Sequence, residues 1–150
     1  MPVVDVKMRI VAPPAAVWKL VCAIDDYPGY MTDVRSVVVT GDPTETVRGS
    51  SWSVSLRGSI LEWTELDRFD EPNGRIDFHQ TDGDLERFSG HWSIDPVAGQ
   101  PDSADVSFYV DFEIGIPLLA DMLNPIAQRS LRDNAIRMLE AFERQIRRAA

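Results

Sequence analysis

Between Pro117 and Arg148 the chain carries its one stretch long and periodic enough to be a major helix. Apolar residues fall at Leu119, Met122, Leu123, Ile126, Leu131, Ala135, Met138, Leu139, Phe142 and Ile146, with Arg132, Arg137, Glu140, Glu143, Arg144 and Arg147 between them. That spacing is a helical period with one apolar face. A helix of this length has to bury its stripe. The hundred residues before it read almost entirely as strands, so the partner is the concave face of a curved antiparallel sheet. Pro125 lacks a backbone N–H, which predicts a kink there or a helix starting near Asn124 as its cap.

The strands follow from alternation. Val4, Val6, Met8 and Ile10 alternate with Asp5, Lys7 and Arg9, as in a strand with one buried face. Pro13 and Pro14 suit a first helical turn. Val17, Trp18, Leu20, Val21 and Ile24 give a short amphipathic helix, and Tyr27 to Met31 form a loop or second short helix with two aromatics. Period two then runs through Val34–Val39, Val47–Arg57, Ile60–Phe69, Arg75–Thr81, Arg87–Pro96 and Val106–Gly115. Between them lie Gly41-Asp42-Pro43, Gly58, the hairpin signal Glu71-Pro72-Asn73-Gly74, Asp82-Gly83-Asp84 and a polar loop from Ala98 to Ser103. Hairpin spacing with no intervening helix excludes a doubly wound parallel sheet. The class is α+β, in a single domain over residues 1–150.

Net charge is −9, with 24 acidic residues against 15 basic. From Pro117 onward there are six arginines and four acids, which leaves the sheet region at −11. This argues against nucleic acid as a partner; it fits a solvated acidic sheet surface or an acidic docking face. The longest uncharged apolar runs fall far short of the ~20 residues needed to cross a bilayer, and the N-terminus lacks a secretory pattern. A cytoplasmic protein, monomer or homodimer, is expected. Cys22 is the only cysteine, so no internal disulfide or multi-cysteine metal site can form; a buried spectator thiol is the expectation.

Several segments resemble one family. They are Ile10-Val11-Ala12-Pro13-Pro14 leading to Val17-Trp18, then Asp26-Tyr27-Pro28, Glu62-Trp63, Gly90-His91-Trp92 and Leu139-Glu140-Ala141-Phe142-Glu143. Together they are similar to the START and birch-pollen-allergen-like (SRPBCC) superfamily of helix-grip proteins, which includes polyketide cyclases and coenzyme Q-binding proteins. The resemblance covers essentially the whole chain and rests on framework positions. It implies a seven-stranded antiparallel sheet around the long C-terminal helix, with two short helices after the first strand. It also implies a deep apolar cavity whose mouth is fringed by Tyr27 to Thr32.

On the last strand Val106, Phe108, Val110 and Phe112 share a face. Similarity to aromatase/cyclases places Leu61, Trp63, Glu65 and Asp67 inward on one middle strand, Ile76, Phe78 and Gln80 on the next, and Phe88, Gly90 and Trp92 on the one after. The candidate ligand-binding set is Tyr30, Leu61, Trp63, Ile76, Phe78, Phe88, Gly90, Trp92, Phe108, Val110, Met122 and Ile126. An apolar lining with a few convergent polar groups suits a flat hydrophobic ligand; the same aromatics can instead pack against the helix. Glu65 and Asp67 are costly to bury ionised. They reach the mouth, with Asp67 nearest the rim, pair with Arg57 or Arg129, carry raised pKa values suited to proton transfer, or turn out to solvent.

Aromatase/cyclases of the tetracenomycin type use an inward arginine to polarise a carbonyl. The matching position here is Asp67, with Arg68 beside it facing outward. That departure leaves Glu65 or Asp67 as the candidate acid/base and Gln80 as the hydrogen-bond donor for aldol cyclisation or dehydration. By parity His79 and His91 face outward, which excludes a metal pair. Asp82 with Asp84 lacks the spacing of a calcium loop, and Ser50, Ser51 and Ser53 stand in no triad relation to a His and an acid. No metal and no cofactor are expected. The leading expectation is a cofactor-free polyketide aromatase/cyclase, whose substrate would usually arrive on an acyl carrier protein. The alternatives are a non-enzymatic carrier of an isoprenoid quinone or lipid, and an interaction module working through the acidic sheet face.

Overall fold

The computed structural model describes residues 2–56, 58–114 and 120–149, without the side chains of residues 120–122. Strand β1 (Val3–Ile10) leads through Pro13 into helix α1 (Pro14–Cys22) and a 3-10 helix (Ile24–Gly29). Strands β2 (Val34–Thr40), β3 (Val47–Leu56), β4 (Ser59–Asp70), β5 (Arg75–Gly83), β6 (Arg87–Val97) and β7 (Gln100–Glu113) follow as a meander, and helix α2 (Ala120–Ala149) closes the chain. The seven strands form one antiparallel sheet in the order β1-β7-β6-β5-β4-β3-β2. The first strand thus joins the last, because Val4 and Val6 lie opposite Val110 and Phe108 and bury the same face.

That face is the core. Alternation in β7 sends Val106, Phe108, Val110 and Phe112 inward, and α2 lays Leu131, Ala135, Met138, Leu139 and Phe142 against the sheet. Each such side chain removed from water contributes roughly 1.5–3 kcal/mol. This is the helix-grip arrangement. The 3-10 helix plugs the interior: Tyr27 is fully buried, its hydroxyl donates to the Val21 carbonyl, and its ring packs edge-on against Trp52 and Phe142.

Two local expectations are corrected, and one strand pair carries an irregularity. Helix α2 begins at Ala120 and runs through Pro125 rather than starting at Asn124; Asn124 Nδ2 instead donates to Glu113 Oε1 at 3.1 Å. The polar stretch 98–103 is mostly strand. Val97 pairs with Gln100 across a two-residue turn in which Gly99 takes φ 74°, a conformation that costs glycine little. The β4–β5 pairing contains a bulge, because Thr64 faces Asp82 while Glu65 faces Gln80. The extra residue, Thr81, sits beside Glu65, and such bulges re-aim neighbouring side chains.

Candidate functional site

Strand parity on β4 points Trp63, Glu65 and Asp67 into the sheet's concave side, and the β3–β4 register sets Trp52 opposite Trp63 and Ser50 opposite Glu65. The two indoles stack, with centroids 5.7 Å apart and planes 4° from parallel. From Trp63 the ring contacts continue to Phe88, Phe78 and Phe108, and on through Trp92 and Phe142 to Tyr27, which touches Trp52 again. Eight aromatic rings therefore form a closed circuit around the interior.

Inside the circuit lies a cavity. Its sheet wall is Trp52, Val54, Leu56, Leu61, Trp63, Glu65, Phe78, Phe88, Trp92 and Phe108, and α2 supplies Leu131, Asn134 and Met138. Unfilled space, counting the opening to solvent, amounts to about 510 Å³, but the centre of a water-sized sphere reaches only about 40 Å³ of it. A drug-sized ligand needs roughly 300–1,000 Å³, so the side chains at the opening have to move before one enters. Leu56, Leu61 and Trp63 are the partly exposed members of the wall.

Glu65 is the one titratable group in this lining among the described residues. It is 4% exposed, and Trp63 Nε1 donates to its Oε1 at 2.6 Å. Asp67 is its neighbour on the same face of the strand. Burial in an apolar wall, followed by the neighbouring Asp67, holds the Glu65 carboxyl well above the usual carboxylate range, which favours its neutral form. Asp67 is 2% exposed and does not line the cavity; it lies behind Glu65 rather than at the rim. Its Oδ2 accepts a hydrogen bond from Ser50 Oγ at 2.5 Å, and Ser50 accepts one from Trp52 Nε1 at 2.8 Å.

Of the anticipated ligand-binding residues, Leu61, Trp63, Phe78, Phe88, Trp92 and Phe108 are brought together in the wall. Ile76 and Val110 are buried but pack elsewhere in the core. Tyr30 packs edge-on against Tyr27, and its buried hydroxyl finds no hydrogen-bond partner among the described residues. Gln80 stands off the cavity, where its Nε2 donates to the Leu85 carbonyl at 2.6 Å. Gly90 has a backbone reason: a Cβ there would lie 1.9 Å from the Tyr109 carbonyl oxygen of the paired strand. Ile126 is 56% exposed, because it lies five residues, or ~140° of helix turn, from Leu131. The side chain of Met122 and the whole of Arg57 lie outside the described residues.

The sequence reading missed Ser50, Trp52, Val54, Asn134 and Arg48. The alternation of Trp52 and Val54 with serines was the available signal for β3. Arg48 lies opposite Asp67 in register, and its guanidinium carbon sits 3.8 Å from the Phe69 ring centroid. Asn134 reaches Asp33 Oδ2 at 3.4 Å, beside the Arg137–Asp33 ion pair at 2.5 Å. His79 is exposed, and His91 stacks on Tyr109 away from the cavity. Burial pushes the Cys22 thiol up to about 12, so it stays a thiol. No group of three or more metal-ligating side chains occurs among the described residues, nor does any described helix have the length and apolarity to cross a membrane.

Comparisons bear on what such a site belongs to. The chain superposes on TTHA0849 from Thermus thermophilus with a TM-score of 0.89, at 25% identity over 99% of both chains. It superposes on the Zhui aromatase/cyclase from a Streptomyces species with a TM-score of 0.85, at 16% identity over 97% of this chain and 93% of that one. A START superfamily protein from Mycobacterium smegmatis gives 0.79, at 16% identity over 99% of both. At these identities the second and third likenesses speak for the fold. No curated protein matches the sequence significantly. A family model described as polyketide cyclase / dehydrase and lipid transport matches residues 10–139, most of the chain, and the protein belongs to that family.

Proposed function

We propose that the protein binds a flat, hydrophobic, aromatic polyketide-like molecule inside the aromatic circuit and catalyses its cyclisation and dehydration, with Glu65 transferring the proton. The observation that carries this reading is the lining itself: stacked and tilted aromatic rings around one buried carboxyl whose pKa is raised. Aromatic faces accept a planar ligand by offset stacking, and an acid whose pKa is raised toward neutrality is suited both to donate and to remove a proton. Aldol ring closure needs a proton taken from carbon and one given to a carbonyl oxygen; dehydration needs a hydroxyl protonated as it leaves. Glu65 is placed to serve these steps in turn. The family likeness and the fold shared with an aromatase/cyclase support the same assignment. A tethered substrate of this kind would come from an acyl carrier protein.

The test is turnover of a poly-β-ketone substrate by the wild type and by Glu65→Gln. Loss of product with binding retained supports an acid/base; equal product from both overturns it. A second reading, a non-enzymatic carrier of a lipid or isoprenoid quinone, is favoured by the lipid-transport half of the family description. It expects binding that Glu65→Gln leaves unchanged, with no product from either protein.

A further inference from the structure

The seven-stranded sheet does not close on itself, so it ends in two edge strands, β1 and β2, whose outer backbone groups pair with no further strand. Natural edges are guarded by charges, by proline or by a covering helix. β1 has two of these guards: Asp5, Lys7 and Arg9 lie along it, and helix α2 packs beside it, where Gln128 Nε2 donates to the Val3 carbonyl at 2.6 Å. β2 carries neither charge nor proline from Ser36 to Gly41. Its register irregularity sits at its start, between Val34 and Ser36. The 3-10 helix packs against β2, and Val34 N–H meets the Met31 carbonyl at 3.3 Å. From Ser36 to Thr40, however, the backbone bonds only to β3 among the described residues, and Ser36, Val38 and Thr40 are exposed.

The segment Arg35-Ser36-Val37-Val38-Val39-Thr40-Gly41-Asp42 is complementary to itself read backwards. Turned about Val38, it sets Val38 against Val38, Val37 against Val39 and Ser36 against Thr40, with Arg35 of one copy beside Asp42 of the other. That pairing is isologous. Because it is centred on a residue, every side chain keeps its face: Val37 stays inward with Trp52, and Val38 stays outward with Ser51. Both ends have capacity to spare. Arg35 reaches the Ser53 hydroxyl at 3.0 Å and no carboxylate among the described residues, and Asp42 uses only Oδ1 to hold Thr44. The outer surface behind this edge is also free of charge. Val38, 58% exposed, is backed by Ser51 and Thr64, and Thr40 by Gly49 and Leu66. Two copies of a chain of net charge −9 repel over most of their surface, and here they can meet without like charges in contact. We infer that β2 is a self-association edge: a second copy of this chain adds its own β2 antiparallel, making one continuous sheet with an Arg35–Asp42 ion pair at each end of the seam. The seam lies on the sheet edge and does not depend on what the cavity binds.

The experiment is sedimentation velocity of the full chain from about 1 µM to about 500 µM, in the wild type, Val38→Lys, Arg35→Glu, and Arg35→Glu combined with Asp42→Lys. The wild type should form a dimer that dissociates on the order of 10–100 µM, as expected of a small, transient interface. Val38→Lys sets two ammonium groups against each other across the two-fold axis and should raise the dissociation constant at least about tenfold. Arg35→Glu should weaken the dimer by roughly threefold, since it faces Asp42 with a like charge, and the exchanged pair should restore it. Restoration by a second charge change is the result that a merely structural role of Arg35 would not give, and it decides the matter if Val38→Lys does not fold. A wild type that stays monomeric throughout, even one that takes up an unrelated strand peptide, would overturn the inference. So would a dimer that Val38→Lys leaves intact, or an exchanged pair no tighter than Arg35→Glu alone. Failure of aromatic compounds to bind would sink the proposed function and leave these results as expected.

Discussion

Glu65 and Asp67, two residues apart on β4, are neighbours on its inward face, and both are almost wholly removed from solvent. Ionising Glu65 there, buried and beside Asp67, is costly, which is why it holds its proton more tightly than a solvated glutamate does. In Glu65→Gln the side-chain amide can still donate to Asp67 and accept from Trp63. The substitution should therefore shift the melting temperature by only a few degrees. Turnover of a cyclising substrate should fall by ~100-fold or more, the usual contribution of a general acid or base. Thermal unfolding beside a product assay checks both halves.

The same raised pKa gives a pH dependence of known sign. Above the ordinary glutamate value of 4.5 the unfolded chain releases this proton while the folded protein keeps it. The folded state then binds more protons, so the contribution of Glu65 is fully present below that value and is lost as pH rises toward the folded pKa. The slope is at most about 1.4 kcal/mol per pH unit. Urea unfolding from about pH 5 to about pH 7 should show wild-type stability declining relative to Glu65→Gln. Parallel curves would mean that Glu65 is ionised in the fold.

Much of this site was legible in the sequence, and the part that was not has a physical reason. Period two puts Trp63, Glu65 and Asp67 on one face, and Phe88 and Trp92 on one face; the resemblance to aromatase/cyclases then implied that these faces point inward. Depth is different. Parity cannot say that Asp67 lies behind Glu65, since that depends on where the sheet closes over the plug formed by Tyr27. Nor could it single out Ser50, which looks like any surface serine of a β-strand until the register sets it opposite Glu65 and within reach of Asp67. On the helix, Ile126 belonged to the apolar spacing next to Pro125 but falls out of phase with Leu131 and Met138, which meet the cavity.

Trp63 is the wall residue best placed to gate the cavity, because it is the one partly exposed aromatic ring of the wall among the described residues. Trp63→Ala should cost about 2 kcal/mol of stability, below the ~3–5 typical of a fully buried tryptophan. It should also raise affinity for aromatic probes too large for the present space. Chemical denaturation and fluorescence titration with naphthalene- and anthracene-sized compounds check the two effects, and weaker binding of every probe would show that Trp63 is a stacking partner instead of a gate.

Gly90→Ala separates framework from pocket. The added Cβ meets backbone, not cavity, so the β6–β7 ladder has to open. A loss of at least about 3 kcal/mol is expected, at the upper end of overpacking costs. Equal stability with altered ligand binding would return Gly90 to the pocket.

The most direct test of the central claim is native mass spectrometry of the purified chain, beside a denatured control, against a panel of aromatic polyketides, quinones and lipids. The account predicts one-to-one binding of flat aromatic compounds by the wild type, strengthened for the larger ones in Trp63→Ala. No binding by either protein across the panel would contradict it, leaving the aromatic circuit as a packed core.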